Sequence, residues 1–126
     1  VTIFLNVFNV HVNRVPVGGT IEDVRYNPGK FLAAFNPKAS MENEQSIILI
    51  NTGKVNVLVK QIAGLVARRI ICWPGKGDQY ELGQRYGLIR FGSRVDILLP
   101  ESTKLSVARG DKVSGGRSII GYLNPS

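Results

Sequence analysis

The stretch Ile89-Arg90-Phe91-Gly92-Ser93-Arg94-Val95-Asp96 contains the residue pair with the greatest chemical reach, a Gly-Ser step inside an apolar, strand-like run. A serine hydroxyl is a weak nucleophile until a base or a strained peptide assists it. Glycine supplies the second condition: without a Cβ it admits unusual dihedrals and leaves its carbonyl carbon open to the neighbouring hydroxyl. Gly92 and Ser93 are therefore candidates for backbone rearrangement and self-cleavage, set against the ordinary reading of Gly-Ser as a turn. His11 is the single histidine, and histidine is the side chain best tuned for proton transfer near neutral pH. Among Val10, Val12 and Val15 the competing reading is a hydrogen-bonded structural residue. Arg94 and Asp96 follow Ser93 at strand spacing, so their side chains should share a face. They read as a local ion pair or, alternatively, as an arginine that steadies a substrate carboxylate.

Strands have to position these groups. Segments 2–8, 20–26, 46–51, 55–62, 68–73, 86–91, 95–99 and 118–123 are mostly β-branched or alternating, and Pro, Gly, Asn and Asp separate them at short intervals. The best place for a helical turn is 40–45, with Ser40 as the cap and acids in the first turn. Lys76-Gly77-Asp78 followed by Gly83 recurs 33 residues later as Arg109-Gly110-Asp111 followed by Gly116. Each unit reads as a Gly-Asp turn, a short connection, a second glycine turn and an apolar strand. This echo resembles the hammerhead half-motif of biotinyl and lipoyl carrier domains. The expected fold is mostly β, a single-domain β-sandwich or barrel over 1–126 with hammerhead half-motifs. The carrier activity itself does not follow, because Met41, the one methionine, is not beside a lysine at a hairpin tip.

At 126 residues, 44% hydrophobic and 20% charged, the chain suits one folded domain. Sixteen basic against nine acidic residues give a net charge of +7, which favours anionic partners. The cations are spread along the chain, and no ribonucleoprotein aromatic motif or zinc-finger spacing is present, so the charge points to anionic lipid and away from nucleic acid. One cysteine, Cys72, excludes an internal disulfide framework and reads as a small buried hydrophobe within Ile70-Ile71-Cys72-Trp73. One histidine and one cysteine do not make an ordinary zinc site, and no metal is expected. No apolar run approaches the roughly 18 residues of a membrane span, so contact with a membrane is expected to be peripheral. The strand-like start at Val1, with no signal-peptide pattern, gives the expectation of a fragment lacking an N-terminal part.

Several blocks occur together in order: Phe8-Asn9-Val10-His11-Val12-Asn13-Arg14-Val15-Pro16, Gly29-Lys30-Phe31, Lys38-Ala39-Ser40, Glu42-Asn43-Glu44, 61–70 and 83–96. This order of blocks, spanning almost the whole chain, resembles the short-form phosphatidylserine decarboxylases, pyruvoyl-dependent enzymes that make phosphatidylethanolamine. The resemblance implies that Ser93 attacks the Gly92 carbonyl, that β-elimination releases a β chain of 1–92, and that position 93 becomes the pyruvoyl start of an α chain of 93–126. The pyruvoyl group would take the amine of phosphatidylserine as a Schiff base and act as the electron sink for decarboxylation. His11 matches the family's catalytic histidine block and is expected to donate the proton. Lys30, Lys38, Arg68 and Arg69 are candidates for the lipid phosphate, against the alternative of solvated surface cations. Glu42 and Asn43 are candidates for the substrate amine, against a cap and turn role. The implied setting is the cytoplasmic face of the cell membrane, bound peripherally to anionic phospholipid, with a homo-oligomer left open.

The chain departs from the family at Asn9, where Asp is common, and lacks an upstream Ala-Asp-Gly block, while Gly18-Gly19-Thr20 forms a related glycine turn with no carboxylate. Two alternatives therefore stand beside the enzyme: a noncatalytic hammerhead β-domain that binds anionic lipid or protein, and an unprocessed precursor. A basic β-domain for single-stranded nucleic acid is a third and weaker reading, since aromatic stacking platforms show no surface periodicity.

Overall fold

The computed structural model describes residues 1–5, 11–64, 70–89, 93–113 and 118–123. The β-branched runs become strands: β1 (Thr2–Phe4), β2 (His11–Arg14), β3 (Gly19–Asn27), β4 (Gln45–Asn51), β5 (Asn56–Ile62) and β6 (Ile70–Cys72). They continue as β7 (Gln79–Tyr80), β8 (Arg85–Ile89), β9 (Arg94–Leu98), β10 (Lys104–Leu105) and β11 (Gly121–Tyr122), and a single helical turn, α1 (Ala39–Glu42), precedes β4. The expectation of a β-rich single domain holds.

Six strands form one sheet in the order β1-β9-β5-β4-β3-β7, three form a second in the order β2-β8-β6, and β10 pairs with β11. Ladders within the first two sheets are antiparallel. Alternation along β4 and β5 turns Ile48, Ile50, Val57 and Val59 inward, where they join Val15, Ile21, Val95, Ile97 and the ring of Tyr86 from the smaller sheet. Burying these side chains, at about 1.5–3 kcal/mol each, is the main force holding the two sheets together.

The repeated Gly-Asp turns are built alike. Asp78 N–H donates to Gly75 O (3.0 Å) while its carboxylate accepts from Gly75 N–H (2.8 Å). Asp111 does the same with Ala108, at 3.1 and 2.9 Å. Gly77 and Gly110 both take φ +93, a left-handed conformation that glycine accepts without steric cost. Gly116, the last member of the second unit, lies outside the described residues.

Two local expectations are corrected. The helical turn covers Ala39–Glu42 and not 40–45, so its N-cap lies two residues earlier, at Lys38 and not Ser40, with no side-chain cap. Asn36 is the cause: its side-chain carbonyl accepts from Lys38 N–H and its backbone carbonyl from Ala39 N–H, both at 2.9 Å, so the chain has already turned before Ser40. The second correction is β2, a strand that the mixed polar run His-Val-Asn-Arg hides. It forms an edge of the smaller sheet through its pairing with β8.

Candidate active site

The residues on either side of the Gly92–Ser93 link are strand ends, one in each sheet. In the larger sheet, the last residues of β1 and β5, Phe4 and Ile62, flank Arg94, the first residue of β9. In the smaller sheet, His11 and Ile70 begin β2 and β6 and flank Ile89, the last residue of β8. In sequence, 5–10 join Phe4 to His11, 63–69 join Ile62 to Ile70, and the last passage, 90–93, joins Ile89 to Arg94. The last passage is short enough that the Ile89 and Arg94 Cα atoms lie within about 18 Å of each other. His11 is one strand spacing, about 5 Å, from Ile89. Thus His11 starts the strand paired with the residue that precedes the 90–93 connection, and Ser93 ends that connection, one residue before β9.

Ser93 is 1% exposed, and its carbonyl accepts a hydrogen bond from Leu5 N–H at 3.0 Å. The residue that follows is fixed more firmly. Arg94 Nε donates to Asp96 Oδ1 (3.0 Å) and Nη2 to Asp96 Oδ2 (2.9 Å), the ion pair anticipated from their spacing. Its third nitrogen, Nη1, donates to Ala34 O at 3.1 Å, and the guanidinium stands 5.7 Å above the centroid of the Phe4 ring. Thr2 Oγ1 donates to Asp96 Oδ1 at 2.8 Å. All three guanidinium nitrogens are thus engaged by protein. A buried pair of this kind holds only when both charges are hydrogen-bonded, which this geometry provides.

The loop before β4 leans on the same corner. Asn43 is buried, and its side chain clasps the backbone of Leu32, accepting from Leu32 N–H (2.9 Å) and donating to Leu32 O (2.8 Å). It also donates to Ala63 O at 2.7 Å, so its amide is spent on framework contacts. Lys30 and Glu42 pair at 3.3 Å on the surface. Gly92, Arg68 and Arg69 lie outside the described residues, and for His11 the strand position is described. Sequence reasoning missed a buried polar row between the sheets, in which Ser46 donates to Gln61 Oε1 at 2.6 Å. Periodic alternation, which marks a buried position whatever its residue type, was the signal available for Ser46 and Gln61. Cys72 is half-buried, and burial pushes its thiol above the usual range, while a hydrogen bond with Ser46 acts in the opposite direction. That environment suits a packing residue and not a thiolate nucleophile.

The phosphatidylserine decarboxylase family model matches residues 1–121. The chain belongs to the phosphatidylserine decarboxylase family. It is 52% identical over 124 residues to the phosphatidylserine decarboxylase proenzyme of Geotalea uraniireducens, a match covering 98% of this chain and 58% of that protein. The proenzymes of Wolbachia pipientis wMel and Rickettsia akari are 49% and 53% identical, over 98% and 95% of this chain and 54% and 52% of their own lengths. The chain therefore spans little more than half the length of the curated relatives it matches. No solved structure matches it. Within this family member the described residues also shape an open depression of about 430 Å³ lined by Val1, Leu98, Leu99 and Leu105. That depression lies at the opposite end of β9 from Ser93. Among the described residues no helix is long and apolar enough to cross a membrane.

Proposed function

We propose that the protein carrying this chain decarboxylates phosphatidylserine to phosphatidylethanolamine, bound peripherally at the cytoplasmic face of the membrane, by means of a pyruvoyl group made from Ser93. Beyond family membership, one observation carries this reading: the strands on both sides of the Gly92–Ser93 link are independently anchored. Ile89 is held between β2 and β6, and Arg94 between β1 and β5. Breaking the chain between them would leave both new ends in place.

In the processing step, Ser93 Oγ adds to the Gly92 carbonyl carbon and the C–N bond breaks, leaving an ester and a free Ser93 amine. Loss of the Ser93 Cα proton then breaks the Cβ–Oγ bond, which frees Gly92 as a carboxylate and leaves dehydroalanine at 93. Tautomerisation and attack by water give the ketone and release ammonia. The chain divides into 1–92 and 93–126.

The surroundings fit such a group. Ser93 is almost fully buried, which would shield a ketone from bulk water, and its carbonyl is already held by Leu5 N–H. Once formed, the pyruvoyl group supplies a carbonyl that condenses with an amine and accepts the electrons left by carbon dioxide. His11 donates the proton to the substrate carbon that has lost its carboxylate. Arg68, Arg69 and Lys30 are assigned to the lipid phosphate, and Glu42, through its pair with Lys30, to orienting that cation. Arg94 is assigned to positioning Ser93 and Asn43 to holding the adjoining loop, because their polar atoms are engaged within the protein.

Release of carbon dioxide from phosphatidylserine in mixed micelles tests the assignment, using protein expressed from its complete reading frame. Ser93→Ala should release none. His11→Ala should be processed and folded yet fail to turn over. Normal release by either variant rejects the assigned roles.

A further inference from the structure

Residues 30–43 form a loop closed at its base. Lys30 N–H donates to Glu42 O (2.8 Å), Glu44 N–H donates to Lys30 O (3.0 Å), and Lys30 and Asn43 form an isolated parallel bridge. The interior is tied as well, by the Asn43 clasp on Leu32 and by Asn36 N–H to Ala33 O (2.9 Å). This is a compact Ω-loop with a defined shape. Despite that order it holds Phe35 at 79% and Met41 at 80% exposure, the two most exposed large hydrophobic side chains among the described residues. Single exposed apolar residues are ordinary on a folded surface. Two of them on one tied loop, with a lysine between them in sequence, are the arrangement that suits an interface with apolar depth and anionic headgroups. Lys38 is that lysine; it is exposed and takes part in none of the described ion pairs. The loop also reaches the site directly, since Ala34 O accepts from Arg94 Nη1 beside Ser93.

We propose that this loop docks the Ser93 end of the molecule onto an anionic phospholipid bilayer, Phe35 and Met41 entering the acyl boundary and Lys38 meeting lipid phosphate. Its purpose rests on the reading of a phospholipid substrate, but insertion itself is independent of turnover. The +7 charge of this chain and the exposed Lys38 at the loop favour an anionic bilayer over a second copy of the same basic chain.

The test uses the full-length protein with Trp73 and every tryptophan outside this chain replaced by phenylalanine, and vesicles of phosphatidylglycerol with brominated phosphatidylcholine. The indole introduced by Phe35→Trp should shift to the blue and be quenched by the bromines. Leu82→Trp is the comparison: Leu82 is 73% exposed on the turn that precedes β8, at the other end of that strand from Ile89, and its indole should stay unquenched. Replacing Phe35 and Met41 together by serine should weaken vesicle binding by about tenfold or more. Lys38→Glu should weaken it by about fivefold at low salt, an effect lost at high salt. The Phe35 and Met41 variants should still divide after Gly92 and turn over monomeric short-chain phosphatidylserine. Quenching without turnover would sink the decarboxylase reading and spare the loop. An unquenched indole at position 35, or serine variants that bind vesicles normally but dissociate a dimer in light scattering, would overturn the docking proposal.

Discussion

The two ends of the sheets are closed by different means. Away from Ser93 the backbone turns on itself: Gly53 in the β4–β5 hairpin and Gly83 before β8 take φ +96 and +80 in open space. At the Ser93 end, polar side chains grip distant backbone. Asn43 holds Leu32 and Ala63, 11 and 20 residues away, and Arg94 holds Ala34, 60 residues away. A turn of the first kind is a local matter of one residue's dihedrals. A closure of the second kind joins separate segments, so one substitution there reaches several elements at once.

That contrast can be broken by measuring unfolding in urea. Asp96→Ala should have the largest effect, about 3–5 kcal/mol, because it strands the buried Arg94 guanidinium. Asn43→Ala should follow at about 2–3 kcal/mol, since it leaves Leu32 N–H and the Leu32 and Ala63 carbonyls without their partner. Gly53→Ala, which must only tolerate a left-handed φ, should cost about 1 kcal/mol. Equal effects for Asn43→Ala and Gly53→Ala would remove the distinction between the two ends.

A smaller effect sharpens the picture of the interior. Burial raises the Cys72 pKa, so folding favours the neutral thiol. The stability this gives is complete below the unfolded thiol pKa, about 8.5, and is lost as pH rises through the higher folded value. The urea midpoint should therefore fall more steeply in mildly alkaline solution for the parent than for Cys72→Ala. Identical pH profiles would contradict the buried thiol.

Much of this was legible in the sequence. The β-branched runs of β4 and β5 and the 33-residue echo of Gly-Asp turns follow from local chemistry, and so does the Arg94–Asp96 pair, whose i, i+2 spacing puts both on one face. The misses share a cause. The role of Asn43 in Glu-Asn-Glu depends on Leu32 and Ala63, and the anchor of Arg94 on Ala34; no local pattern encodes partners that only the folded sheets bring near. β2 escaped notice because its residues do not alternate by polarity, and α1 was set late because the turn is started by Asn36, outside the expected segment. Gly92 and Ser93 stood out from their types and from the family blocks around them. That the link falls between two separately anchored strands is information that only the pairing supplies.

The central claim is that the bond between residues 92 and 93 breaks within a framework that keeps both ends in place. Intact-mass measurement under denaturing conditions, on protein produced from its complete reading frame, tests it most directly. The account predicts two polypeptides divided after Gly92, the second beginning with a ketone that reacts with hydrazide, and their co-elution under native conditions. A single polypeptide that retains Ser93 while folded and supplied with anionic vesicles would contradict it.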